Sequence, residues 1–65
     1  MNDFMSYIAA NNEIRFGKPC IKGTRITVQD ILQWLANGMS YNDIITDYPE
    51  LNEIHIRAAL AYAYH

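Results

Sequence analysis

The sequence is poor in cysteine, glycine and proline, and it lacks long apolar runs. Its 65 residues include one Cys, three Gly and two Pro. A single cysteine, Cys20, can form neither an internal disulfide nor a thiolate zinc site, and this usage fits a reducing cytoplasm. No apolar stretch approaches the roughly 20 residues that a bilayer requires, and no basic segment followed by an apolar run opens the chain. We therefore expect a cytoplasmic protein with no membrane span and no secretory signal.

The length and composition indicate one small folded domain over residues 1–65. Of the residues, 51% are hydrophobic and 18% are charged. A chain this short buries only about 60% of the surface that it exposes when unfolded, so its core is marginal. A partner or a second copy would add stability, and a homodimer is expected.

Charge is distributed unevenly along the chain. Between residues 14 and 28 every charge is positive, whereas acids dominate afterwards although the net charge is only -2. This asymmetry indicates an anionic partner, or else a basic segment that is neutralised by the chain's own carboxylates. The candidate anion or nucleic-acid contacts are Arg15, Lys18, Lys22, Arg25 and, further along, Arg57.

The segment 7–27 predicts a short β-arm. It contains β-branched residues and two glycines but no helical period, and strands are expected near 14–16 and 20–26. Gly17, Lys18 and Pro19 would turn the chain between them, because glycine tolerates positive φ and proline fixes its own φ. The expected arm is therefore a hairpin about these three residues.

Residues 28–65 predict three short helices. Thr27 with Asp30, and Ser40 with Asp43, have the spacing of capping boxes, and Asn52 is a candidate cap for a third helix. Apolar residues follow at helical spacing in each case. The first helix is expected to end near Ala36 and the second before Pro49. The predicted fold class is mainly α: a β-arm followed by a trihelical, homeodomain-like helix-turn-helix unit. Trp34 falls off the first helix's apolar stripe and is expected to cover the seam with the β-arm.

The third helix is apolar on two faces. One face, with Ile56, Ala59, Leu60 and Ala63, would join the core. A base-reading helix needs polar side chains on its outer face, and only Arg57 and His55 are available there. The other face therefore indicates protein contact, although alanines are also common on exposed helix surfaces. The candidate interface residues are Ile54, Ala58, Ala61 and Tyr62.

Catalytic, cofactor and metal chemistry find little support in the sequence. Cys20 and His55 have no third group to orient them as nucleophile and base. Phosphate-cradling glycine motifs and calcium-loop spacing are both absent. We expect a protein that is not an enzyme and that holds no cofactor.

A long run of the sequence resembles a known family. The run FGKPCIKGTRITVQDILQWLANGMSYNDIITDYPELN, followed by IRAALAYA, is similar to DUF433, a prokaryotic family of domains of unknown function. The most specific parts are GKPCIKGTRI, GMS and DYPEL. The resemblance implies a homeodomain-like helix-turn-helix protein and a VapB-type antitoxin that pairs with a PIN-like nuclease toxin. Such an antitoxin would bind the toxin and autoregulate its operon by binding operator DNA.

Two alternatives to an antitoxin remain. One is a helix-turn-helix DNA-binding regulator without a toxin, in which the β-arm grips phosphate and Arg57 meets a base. The other is a structural protein-interaction module without nucleic acid, which the acidic overall charge favours.

Overall fold

Three helices follow a minimal antiparallel sheet in the computed structural model, which describes residues 3–64. The helices are α1 (Val28–Ala36), α2 (Tyr41–Asp47) and α3 (Glu53–Tyr64). The strands are β1 (Ile8–Ala9) and β2 (Cys20–Ile21). The predicted fold class, mainly α with a short β-arm before three helices, is confirmed.

Reciprocal hydrogen bonds begin the first two helices at the predicted residues. Thr27 Oγ1 accepts from the Asp30 N–H at 2.9 Å, and the Asp30 carboxylate accepts from the Thr27 N–H at 3.1 Å. Ser40 and Asp43 repeat the arrangement, with both distances at 3.0 Å. Gly38, at φ +94°, follows α1 in the left-handed conformation that commonly ends helices. Capping boxes therefore fix these boundaries locally.

The start of α3 uses a histidine in the same way. Asn52 Oδ1 accepts from the Ile54 N–H at 3.1 Å, and His55 Nδ1 accepts from the Asn52 N–H at 3.1 Å. Burial lowers the pKa of His55. The neutral ring is the form that this acceptor role requires.

One hydrophobic core joins the arm to all three helices. Every helix and the arm contribute to it, and the partly buried Ile8 of β1 packs against it. Burial of these aliphatic side chains is the main favourable contribution to folding in a domain of this size. The buried members are Ile21, Ile26, Val28, Ile31, Ile44, Leu51, Ile56 and Ala59.

The predicted hairpin between strands at 14–16 and 20–26 is wrong. β2 pairs with β1, with Ile8 opposite Ile21, and residues 15–17 form a 3-10 turn. The second predicted strand is interrupted by a turn in which the Thr24 N–H donates to the Ile21 carbonyl at 3.0 Å and Gly23 has φ +80°. Left-handed backbone at both places ends strand geometry.

Trp34 packs against an aromatic side chain that follows α2. Its ring stacks on Tyr48 at 4.1 Å between centroids and an angle of 11°. It therefore covers the junction of α1 with the residue after α2, and coverage of the seam with the β-arm stays a prediction. Two aromatic rings stacked in this way stabilise the fold by more than the burial of each ring alone.

The predicted division of faces on α3 is partly wrong. Ala58, expected on the outer face, is completely buried, because the N-terminal 3-10 turn Phe4–Tyr7 packs along α3. The Tyr7 ring meets the His55 ring edge-on at 5.7 Å. Leu60 and Ala63, expected in the core, are exposed.

Candidate interaction site

Arg15 is turned toward the helices and paired. Its Nη1 donates to the Asp30 carboxylate at 3.2 Å and to the Arg25 carbonyl at 3.0 Å. Burial by itself would raise the pKa of Asp30, but hydrogen bonds from Thr27 and the charge and hydrogen bond of Arg15 lower it below its ordinary value. For Arg15, the alternative that the chain neutralises its own cation is therefore correct.

Arg57 is also paired within the chain. Its Nη2 lies 2.7 Å from the Glu53 carboxylate, one helical turn earlier, and its guanidinium lies 5.9 Å from the centre of the Tyr41 ring. The ion pair raises the pKa of Arg57. Since His55 caps its own helix, both predicted base-reading side chains of α3 are already engaged.

Three cations remain on the arm without an ion pair among residues 3–64. They are Lys18, Lys22 and Arg25, and all three are exposed. They lie on two neighbouring turns, which the Arg15 side chain links by donating from Nη1 to the Arg25 carbonyl. We call these three residues the unpaired cations.

The turn at residues 15–17, which we call the Phe16 turn, is left-handed throughout. Arg15 has φ +50°, Phe16 has φ +60° and Gly17 has φ +81°. A side chain at Gly17 would bring Cβ to 2.8 Å from Asn12 Oδ1, so Asn12 would have to move, and the φ of +81° favours glycine at this position in any case. The Phe16 side chain is 96% exposed. The strand predicted at 14–16 did not indicate that Phe16 lies exposed on a turn. Asn12 and Gly17 are turn-forming residue types and could have indicated the turn.

A shallow groove lies beside this turn. Its volume is about 550 Å³, and it is enclosed by the segment Lys18–Pro19, the first turns of α1 and the end of α3. Lys18 and Tyr62, two predicted site residues, both line it, and Tyr62 is 40% exposed. Val28 and Leu32 supply apolar lining.

The remaining predicted interface residues form no open face. Ala58 is buried within the chain, and Ile54 and Ala61 are half-buried beside it. Of the predicted set, only Tyr62 is exposed. The expected homodimer stays a prediction, but Ala58 is not available to contact a second copy.

The remaining chemistry is limited in the part of the chain that the structure describes. Cys20 is buried, and its thiol donates to the Lys18 carbonyl at 3.3 Å. Within residues 3–64, no three His, Cys, Asp or Glu side chains are grouped as metal ligands would be. Over the same residues, none of the helices is both long enough and apolar enough to cross a bilayer.

Comparison with known proteins places most of the chain within one family. The model of a family described as "Protein of unknown function (DUF433)" matches residues 8–63. This range begins at β1 and ends in the last turn of α3, so it includes the Phe16 turn and the unpaired cations. No curated protein matches the chain.

A solved structure has the same fold. The crystal structure of a DUF433 member protein from Anabaena variabilis matches with a TM-score of 0.85 and 24% sequence identity. The match covers 89% of this chain and 57% of that one, so this chain spans little more than half of that protein's length. At this identity the likeness is one of fold.

Proposed function

The chain belongs to the DUF433 family of proteins of unknown function, and we propose that it acts as an antitoxin that binds and occludes a PIN-like nuclease toxin. The observation that carries the proposal is the set of unpaired cations on the arm, Lys18, Lys22 and Arg25. Exposed cations held on ordered turns suit an acidic protein surface, such as the carboxylate-rich metal site of a nuclease. Its mechanism is steric and electrostatic occlusion, without catalysis.

Operator DNA is the second candidate partner, through which the protein would autoregulate its operon. The same cations suit phosphate. The occupied side chains of α3 favour the protein partner, because Arg57 is bound to Glu53 and His55 caps the helix. Arg57 would have to leave its carboxylate before it could meet a base edge. The net charge of -2 also opposes approach to DNA outside the arm.

Two arginines provide a matched test of the role of charge. Arg25→Ala removes an unpaired cation, whereas Arg57→Ala removes one that Glu53 already neutralises. We expect Arg25→Ala, and more strongly Lys22→Ala with Arg25→Ala, to slow association with the proposed PIN-like nuclease partner. Rim charges act mainly on the association rate, so the double variant should slow it about tenfold at low salt. Arg57→Ala should leave the rate unchanged.

Surface plasmon resonance over a range of salt concentrations measures both effects. Equal rates for the wild type and the double variant would contradict the proposal, and so would the lack of any complex. Sequence-selective binding to operator DNA, with a steep loss of affinity as salt rises and no toxin complex, would establish the DNA-binding alternative instead. A complex with a partner that is no nuclease, combined with no binding to DNA, would point to the structural interaction module.

A further inference from the structure

Phe16 is an apolar side chain that the fold holds in water. Its ring is 96% exposed, and unlike Tyr64, which is 92% exposed, it has no hydroxyl to hydrate. A lone exposed apolar residue is common on protein surfaces. The backbone beneath this one is what sets it apart.

The Phe16 turn places two residues other than glycine in left-handed conformation. The φ values are +50° for Arg15 and +60° for Phe16, a conformation that residues with a Cβ adopt at an energetic cost. Such backbone persists where surrounding contacts determine it, and it concentrates at functional sites. The left-handed backbone therefore indicates a functional role for the side chain that the turn exposes, Phe16.

Several contacts fix this turn before any partner binds. Arg15 is anchored on Asp30 and on the Arg25 carbonyl, and the Gly17 N–H donates to the Ile14 carbonyl at 3.1 Å. The Lys18 N–H closes the turn on the Arg15 carbonyl at 3.2 Å. The Arg15 side chain is held toward α1, whereas the Phe16 side chain lies in solvent. A turn whose backbone is ordered beforehand loses little conformational entropy on binding.

The charges near the turn specify the partner. The unpaired cations lie on the Phe16 turn's flank and on the turn that Arg15 bonds to. An apolar anchor within a polar, charged rim is the usual anatomy of a protein interface, and here the rim is positive. We propose that Phe16 is the anchor of the toxin complex, and that its ring inserts into an apolar socket bordered by carboxylates on the nuclease. This inference rests on the proposed function and adds the contact that supplies most of the affinity.

Glycine is the variant that tests the ring without straining the turn. Phe16→Gly removes the phenyl group, yet glycine adopts φ +60° readily, so folding should be retained. Phe16→Tyr keeps the ring. Tyr64→Ala is the matched control, because it removes an almost equally exposed ring outside the turn.

The measurement is the dissociation constant for the PIN-like nuclease, taken at several salt concentrations. We expect Phe16→Gly to weaken binding at least about thirtyfold, as loss of a central anchor does, without changing the salt dependence. Phe16→Tyr and Tyr64→Ala should bind within about threefold of the wild type. Circular dichroism should show wild-type helix content for all three variants.

Different failures point to different errors. Wild-type affinity for Phe16→Gly, together with slowed association for Lys22→Ala with Arg25→Ala, would overturn the anchor and keep the proposed function. Absence of any nuclease complex would overturn both. Equal losses from Phe16→Gly and Tyr64→Ala would also overturn the anchor.

Two other partners of the ring would overturn the proposal as well. One is nucleic acid: if the wild type binds a single-stranded thymidine oligonucleotide and Phe16→Gly abolishes this binding, the ring stacks on bases. A wild-type dimer in sedimentation that Phe16→Gly converts to monomer would assign the ring to self-association and overturn the proposal.

Discussion

Replacing Asp30 by alanine removes two contacts at once. The carboxylate accepts from the Thr27 N–H at 3.1 Å and from Arg15 at 3.2 Å. Thr27 is only 2% exposed, so its N–H would lose its acceptor where water has little access. The remaining half of the capping box, from the Asp30 N–H to Thr27 Oγ1, does not depend on the carboxylate and would survive.

The cost follows from these contacts. A buried N–H without a partner costs about 1–3 kcal/mol, and a negative charge in the first helical turn contributes about 0.3–1 kcal/mol. The Arg15 pair adds little, about 0–1 kcal/mol, since its side chains are 37% and 31% exposed. We therefore expect Asp30→Ala to lower the free energy of unfolding by about 2–3 kcal/mol. For a 65-residue domain, with roughly 3–10 kcal/mol in total, this is a large fraction.

Asp43→Ala is the matched control. It breaks the same motif in α2, but Ser40 is exposed, so water can replace the lost acceptor. The loss there should be about 0.5–1 kcal/mol. Urea unfolding followed by circular dichroism at pH 7 compares the two, and with a slope of about 1 kcal/mol per M the Asp30→Ala midpoint should fall by about 2–3 M. Equal midpoints for Asp30→Ala and Asp43→Ala would refute the reasoning, because burial of the Thr27 N–H would then contribute nothing.

Acid should act through the same carboxylate. The pKa of Asp30 in the folded chain lies below the value of 3.8 that describes the unfolded chain. Between these two pKa values the unfolded chain binds more protons than the folded chain. The contribution of Asp30 to the free energy of unfolding is therefore complete above about pH 3.8 and is lost as the pH falls through the folded pKa. Asp30→Asn keeps an acceptor for the Thr27 N–H but has no charge. Its unfolding free energy should therefore lack this part of the acid dependence.

Two further predictions concern α3. Ala58→Glu should destabilise the chain by about 3 kcal/mol or more, because it places a carboxylate in the space that Phe4–Tyr7 closes, and thermal unfolding by circular dichroism would show a lowered midpoint. A wild-type midpoint would mean that Ala58 faces solvent after all. The pKa of His55 is lowered, so the urea midpoint should fall as the pH drops below about 6.5 through the folded pKa. His55→Gln keeps an acceptor for the Asn52 N–H and should remove this dependence; an unchanged pH profile in that variant would exclude His55 as its source.

The helices could be predicted because their signals are local. Thr27 and Ser40 each meet an acid three residues later, and the hydrogen bonds form within one turn of helix. Pro49 follows α2 as expected, since the residue before a proline is excluded from helical geometry. No knowledge of the remaining chain is needed to place such boundaries.

The arm could not be predicted in the same way, because its pairing is distant in sequence. Ile8 lies opposite Ile21, and nothing in the residues between them selects this register over a local hairpin. The covering of Ala58 has the same cause, since the segment Phe4–Tyr7 closes that face from the other end of the chain. In both cases, contacts remote in sequence override a local pattern.

Only the charge of the candidate site could be predicted from the sequence, and not its ion pairs or its backbone conformation. Residue types identify the arm as basic. They cannot show that Arg15 forms an ion pair with Asp30 while Lys22 and Arg25 have no ion pair among the described residues. The apolar side chain of Phe16 predicts a strand, because the left-handed backbone at this residue is not visible in the sequence. Ion pairs and φ values are properties of the folded chain.

The Arg15–Asp30 ion pair affects both the stability of the fold and the conformation of the Phe16 turn. A pair this exposed adds little to folding, so its main effect is geometric: it holds the Arg15 side chain while the backbone of Arg15 and Phe16 stays left-handed. When a partner covers the turn and excludes water, the same pair strengthens, because the local dielectric constant falls. Loss of the pair in Asp30→Asn should then weaken partner binding more than it weakens folding, since the turn that carries Phe16 would lose one of the two side-chain hydrogen bonds that anchor it. Asp30→Asn also leaves Arg15 without its carboxylate, and an added unpaired cation would by itself favour an acidic partner. A variant that folds well and yet binds poorly, with the ring unchanged, therefore separates ordering of the turn from its chemistry.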